Sequence, residues 1–429
     1  MHDNEQRTNT IWYPYTQMKN APEPIAISRG EGAVLFDDRG NAYIDAIASW
    51  WVNLHGHAHP YVADRVHAQL LQLEHVIFAG FTHRPALDLA EKLLAILPRN
   101  QARVFFSDDG STAVEVALKM ALQYWHNVTK KEATVIAMEH AYHGDTFGAM
   151  AVSDRGAFVK PFESKLFAVA RIPAPVAGRE SASLDALHAV LRQNQASVFI
   201  FEPLVQGAGG MRMYEPGPLE KMLELCQAYR AVTIADEVMT GFGRTGRDFA
   251  SDYLPLHPDL VCLSKGLTGG TLPLGVTSCS AEIYNAFLSE DQSRTLFHGH
   301  SFAGNPVGCA AGLASLELLQ STACQESIRR IQQQHETIAE RFATHPAVRD
   351  VRQRGVILAI EVATGRPTSY FNTIRDALCV FFLKQGVLLR PLGNVIYVLP
   401  PYCITDIQLH RTYDVIWEAL NRIDRGALK

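Results

Sequence analysis

Between about residues 50 and 320 the apolar positions alternate between two spacings. Helical spacing marks Ser111 to Asn127, "STAVEVALKMALQYWHN", whose opening Ser/Thr pair predicts an N-cap. Short continuous apolar runs lie between the helical segments: "ATVIAM" from Ala133, "SVFIFEPLV" from Ser197, "AVTIADEV" from Ala231, "LVCLSKG" from Leu260 and "LGVTSCS" from Leu274. Unbroken apolar strands separated by helices predict a mostly parallel sheet covered on both faces, an α/β fold. "AVLFDDRGNAYIDA", from Ala33, reads as a hairpin. Past residue 320 come a polar helix, "CQESIRRIQQQHETIAERFA", another helix around "RDALCVFFLKQG", and a last one from Thr405. The expected division is a large domain over residues 50–321 and a smaller α+β domain built from residues 1–49 and 322–429.

Ligands of such sheets sit beyond the carboxyl ends of the strands. Three of the apolar runs end there in charged groups, at Glu202, Asp236 and Lys265. Burying an ammonium is costly unless it is paired or uncharged. Asp236 and Lys265 could form a structural ion bridge, and the residues alone leave that reading open. Gly110, Ser111 and Thr112 open the strong helix, where free N–H groups and the positive dipole end favour a phosphate, although an ordinary N-cap is the commoner explanation. Tyr142 lies in a loop, "AYHGDTFGAM", and Gly299, His300 and Ser301 in another, "LFHGHSFAGNP". Pyridoxal phosphate accounts for all of these together: the lysine condenses with its aldehyde, the aspartate faces the pyridine nitrogen, and the tyrosine stacks on the ring.

Composition narrows the class. A formal net charge of -5 and a balance of 47% hydrophobic to 19% charged residues give no footprint for nucleic acid or an anionic membrane. No apolar run is long enough to span a bilayer, and "MHDNEQRTNTIWYPY" lacks a leader pattern. Seven cysteines without a CxxC pair fit reduced thiols, so a cytoplasmic protein is expected.

"TIADEVMTGFGRTG", the "SKG" lysine and "GNPVGCAAGLASL" resemble the class III aminotransferases, pyridoxal-phosphate enzymes of the aspartate-aminotransferase fold (fold type I). More narrowly, "IWYPYTQM", "ASWWVNLHGHAHP", "HAYHGDTFGAM", "EPLVQGAGGMRMY" and "LLRPLGNVIYVLPPY" are similar to the branch that moves an amino group from S-adenosylmethionine to 8-amino-7-oxononanoate in biotin synthesis. The resemblance implies that Lys265 is the Schiff-base lysine and proton carrier, Asp236 the pyridinium partner and Tyr142 the ring neighbour. It implies that Gly110 and Ser111 hold the phosphate, and that Gly299, His300 and Ser301 reach the cofactor of a partner subunit in a homodimer with shared active sites. Tyr15 and Trp50 would line the substrate pocket, Arg390 would bind the keto substrate's carboxylate, and Arg244 would approach the substrate.

Departures from the wider class refine this. Ala208 and Tyr397 stand where many members carry a glutamate and an arginine that grips an α-carboxylate. Losing such a charge-assisted contact removes ~1.5–3 kcal/mol of recognition, which disfavours a glutamate/2-oxoglutarate enzyme. Relatives that use lysine as donor are associated with phenylalanine at the position of Tyr15, so the phenol favours adenosylmethionine. The alternatives are an ω-amino acid:pyruvate aminotransferase, an aminomutase and a non-catalytic cofactor-binding protein. His55, His57 and His59 alternate in "LHGHAHP", but without a carboxylate or cysteine in the pattern no metal site is expected. On composition alone the Trp50–Trp51 pair is more often core than pocket.

Overall fold

Every side chain of Ser197–Phe201, Val232–Asp236 and Leu260–Leu263 is buried, as continuous apolar strands require when helices cover both faces of their sheet. The structure, a computed structural model, describes residues 10–154, 156 and 158–428. Residues 1–9, part of the stretch read for a leader and of the segment assigned to the small domain, lie outside the described residues.

The chain opens with β1 (Ile27–Glu31), β2 (Val34–Asp37) and β3 (Ala42–Asp45), paired antiparallel in that order. The central sheet takes β4 (Gln101–Ser107), β5 (Thr134–Met138), β6 (Ala170–Ile172) and β7 (Ser197–Phe201). A short ribbon, β8 (Val205–Gln206) and β9 (Arg212–Met213), interrupts it. Then follow β10 (Val232–Asp236), β11 (Leu260–Leu263) and β12 (Gly275–Ser280). The seven strands lie in the order β4-β12-β11-β10-β7-β5-β6. β12 runs antiparallel to both neighbours, whereas β11, β10, β7, β5 and β6 pair in parallel. The reversal follows from length: residues 264–274 are too few for the helical crossover a parallel return needs.

After the helices Pro306–Leu319 and Thr322–Ala343 come β13 (Val348–Arg354), β14 (Ile357–Val362), β15 (Val387–Leu388) and β16 (Val395–Val398). β13, β14 and β16 form an antiparallel sheet, while β15 adds in parallel to β3, Val387 beside Ile44. The helix Asp406–Asp424 starts at Thr405, whose side chain accepts from the Gln408 N–H. One cap differs from expectation. The helix Gly110–Thr129 is capped by Asp109, in a capping box with Thr112, and not by the Ser/Thr pair that follows. Among the described residues no helix is long and apolar enough to cross a membrane.

Candidate active site

Glu202 follows β7, Asp236 ends β10 and Lys265 lies two residues beyond β11. Because these strands are parallel neighbours, the three groups share the carboxyl edge of the sheet. Lys265 has φ 45, a left-handed conformation that a lysine adopts only when its surroundings impose it. Its amine is buried 4.6 Å from the Trp51 ring centroid. Among the described residues no ion pair joins it to Asp236, so the structural-bridge reading finds no contact here. Desolvation pushes the amine down to about 8, against the opposing pull of the Asp236 and Glu202 carboxylates.

A pH dependence follows. Capture of an aldehyde needs the unprotonated amine, so the rate at which cofactor-free protein takes up pyridoxal phosphate should rise with pH and level off above about 8. Stopped-flow absorbance measures this. A midpoint near the ordinary lysine value of 10.5 would contradict the desolvated amine.

Asp236 is held by a residue the sequence reading passed over. His143 Nδ1 lies 2.7 Å from Asp236 Oδ2, both groups are buried, and Asp236 Oδ1 accepts from the Val238 N–H at 3.1 Å. The His143 Nε2 atom is buried without a partner among the described residues. Glu202 accepts from the Tyr142 N–H and the Gly207 N–H, each at 2.9 Å, which fixes the tyrosine loop to the sheet edge. Burial pushes the Glu202 carboxyl up to about 7, with nearby Asp236 adding to the rise and His143 opposing it.

Asp109 satisfies the Thr112 N–H, and the N–H groups of Gly110 and Ser111 find no acceptor among the described residues. Ser111 Oγ meets Thr146 at its N–H, 3.0 Å, and at its hydroxyl, 2.8 Å. Gly144, at φ +125, allows this approach, since a Cβ there would fall 2.3 Å from Ser111 Oγ. Two free N–H groups, a hydroxyl and the positive end of a long helix make an anion cradle.

The mouth is aromatic. Trp50, 38% exposed, meets the Tyr15 ring edge-on at 5.5 Å and carries the Arg390 guanidinium 5.2 Å from its centroid. Among the described residues Arg390 has no carboxylate within 4.0 Å. Tyr15 and Tyr142 place their hydroxyls 3.1 Å apart, and both donate to Asp145 Oδ2. Burial and the Asp145 contact push the Tyr15 phenol up to about 12. Trp51 turns inward instead, buried against Tyr397 at 6.0 Å.

The tryptophans separate because Ala48, Ser49, Trp50 and Trp51 all have positive φ, a left-handed turn without a glycine. Such residues cost ~1–2 kcal/mol each and persist only where contacts impose them. Asp45 accepts from Ser49 Oγ at 2.7 Å and from the Ile47 N–H at 3.3 Å. Arg244 corrects an expectation. Its guanidinium, 1% exposed, donates to the carbonyls of Trp51, Asn53 and Pro400, and so braces this turn instead of facing a substrate.

Gly299 and Ser301 are exposed, and no hydrogen bond among the described residues ties Ser301 to the phosphate helix of its own chain. His300 lies 3.4 Å from Asp108 and 2.9 Å from His298. The alternating histidines diverge: His55 pairs with Ser315, His57 with Asp45, and His59 precedes the helix Pro60–Leu70 without a side-chain hydrogen bond to it. No group of three metal-ligating side chains occurs among the described residues.

The family model described as aminotransferase class-III matches residues 15–420. The chain belongs to the class-III aminotransferases. The adenosylmethionine-8-amino-7-oxononanoate aminotransferase of Synechococcus elongatus is 47% identical over 96% of this chain and 99% of its own. A crystal structure of the enzyme so named from Methanocaldococcus jannaschii superposes with a TM-score of 0.91 at 35% identity, covering 97% of this chain and 98% of that one. The ω-transaminase of Pseudomonas jessenii, solved in complex with PMP, gives a TM-score of 0.91 at 26% identity, covering 99% of this chain and 98% of that one. This class-III aminotransferase therefore has the aspartate-aminotransferase-like fold and is a pyridoxal-phosphate-dependent enzyme. Its residues fit that cofactor: an anion cradle with two unused N–H groups, a buried carboxylate backed by His143, and a buried amine with no acidic partner in contact.

Proposed function

We propose that this aminotransferase takes the amino group of S-adenosylmethionine and delivers it to the C7 ketone of 8-amino-7-oxononanoate, giving the 7,8-diaminononanoate used in biotin synthesis. The similarity to adenosylmethionine-8-amino-7-oxononanoate aminotransferases supports this reading. The observation that carries it is the mouth itself: an Arg390 guanidinium on the Trp50 ring with no carboxylate in contact among the described residues, and Asp145 accepting from two phenols. An acceptor with a terminal carboxylate and an ammonium beside its ketone matches both charges. An α-carboxylate-gripping arginine is absent at Tyr397, which is 1% exposed and packed on Trp51.

When bound, pyridoxal phosphate supplies the aldehyde that receives the amino group and a ring that draws electrons from the substrate Cα. Gly110 and Ser111 would anchor its phosphate, Asp236 would keep its ring nitrogen protonated, and Tyr142 would border the ring. Lys265 would hold the cofactor through its aldehyde carbon, and its amine, once free, would be the group that moves the substrate Cα proton. Desolvation that lowers this amine below the ordinary lysine range favours its uncharged form, the form able to accept a proton. The two half-reactions use one pocket in turn, a ping-pong sequence.

The loop Gly299–Ser301 is proposed to complete the phosphate site of a second copy in a homodimer. Phe297 and Phe302 flank it exposed, and Phe302 joins a further exposed apolar segment through His75 at 5.3 Å. The division into residues 50–321 and 1–49 with 322–429 is supported by the β3–β15 pairing of the two chain ends. The seven cysteines occur as free thiols, in keeping with a cytoplasmic protein.

Single-turnover spectra test the donor. Holoenzyme mixed with adenosylmethionine alone should lose its visible cofactor absorbance, and 8-amino-7-oxononanoate should restore it. Bleaching by β-alanine but not by adenosylmethionine would transfer the assignment to the ω-amino acid:pyruvate reading. Arg390→Ala should weaken the keto acceptor by ~2–4 kcal/mol, as loss of a desolvated carboxylate partner does.

A further inference from the structure

Outside the residues assigned so far, the mouth carries two further exposed aromatic rings. Phe158 is 46% exposed and Phe371 60%, and they stack with centroids 5.3 Å apart at 27°. Phe158 also meets Tyr15 at 6.1 Å and Tyr370 at 5.0 Å, which joins the pair to the pocket wall. The segment is fixed from below: Asn394 accepts from the Ser369 N–H at 3.4 Å, and Gly393 leaves room for the Ser369 carbonyl, which a Cβ would overlap at 1.7 Å. Tyr370 already carries the Arg375 guanidinium at 4.9 Å, and that charge is paired with Asp376 at 2.8 Å. Among the described residues no cation lies over Phe158, Phe371 or Tyr15.

We infer that Phe158 and Phe371, with the Tyr15 ring, form a subsite for the sulfonium of the amino donor. This rests on adenosylmethionine being that donor. Its sulfonium lies three bonds from the reacting Cα, so it would sit outward of the reacting carbon, toward the mouth. Aromatic faces present negative charge density and attract a cation that carries no N–H or O–H donors. The Asp145 carboxylate behind Tyr15 adds the same sign of potential. The keto acceptor carries its ammonium on the carbon adjacent to the ketone, where the Asp145 carboxylate and not the Phe158 and Phe371 faces would match it.

The test compares adenosylmethionine with S-adenosylhomocysteine, the uncharged thioether, on holoenzyme. Single-turnover absorbance gives the donor's dissociation constant, and competition gives that of the thioether. Phe158→Leu and Phe371→Leu should each lower the preference for the sulfonium about three- to tenfold, Phe→Tyr at either position should retain it, and the keto acceptor should change by less than about twofold. Equal losses for both ligands would mean that the rings stack the adenine or merely wall the pocket, and would overturn the inference, as would no change. Both outcomes leave the donor assignment intact. Wild-type holoenzyme that fails to react with adenosylmethionine would overturn the two together.

Discussion

Lys265→Ala protein supplied with pyridoxal phosphate is expected to stay without visible cofactor absorbance, and borohydride should fix no cofactor mass on it. Turnover should fall by at least about 10⁴-fold if, as proposed, one side chain is both the covalent anchor and the proton carrier. Misfolding is a poor alternative explanation. Folding shifts this amine from 10.5 to about 8, so below pH 8 the cofactor-free fold holds a buried ammonium at a cost on the order of 3 kcal/mol. The sign follows from proton counts: between about 8 and 10.5 the unfolded chain binds a proton that the folded one has released, so stability rises with pH there. The alanine variant lacks that dependence and should be as stable as the wild type at neutral pH. Cofactor trapped elsewhere, with turnover kept, would refute the assignment.

Asp236→Asn should be the second most damaging change. The amide preserves shape and a contact to His143, now 2.7 Å from the carboxylate, but removes the negative charge proposed to face the cofactor's ring nitrogen. Breaking a buried charge pair costs roughly 3–5 kcal/mol, so kcat should drop about 10²- to 10³-fold and the cofactor should dissociate more readily. His143→Phe should do less, because the carboxylate keeps its Val238 N–H contact. Steady-state rates with thermal unfolding as a control measure both. Turnover within about tenfold of wild type for Asp236→Asn would place the ring nitrogen's partner elsewhere.

Much of this site was legible because it violates the pattern around it. An apolar run that ends in Asp236 or Lys265 is anomalous in a buried strand, and anomalies of that kind survive translation into three dimensions. Features made only by tertiary contact were not legible. His143 sits in a loop with no periodicity, and its partner is remote in sequence; the neighbouring Tyr142 and Gly144 were the available signal. The left-handed turn at Ala48–Trp51 contains no glycine to announce it, because Asp45 and Arg244 impose it from outside. Arg244 was expected near a substrate only through the family resemblance, since the carbonyls that hold it lie far away in the sequence. The cap at Asp109 was readable from Asp-Gly-Ser-Thr, but the two hydroxyls drew the reading two positions too far.

Reversed β12 also governs how the polypeptide must be made. It lies between β4 and β11, so Ser107 waits for Gly275 before its hydrogen bonds are satisfied. A nascent chain halted before that point presents two unpaired strand edges, the situation that invites association between ribosome products. Assembly of this sheet is thus slow and late, and a shortened chain ending ahead of Gly275 should be an aggregating species, not a smaller working enzyme.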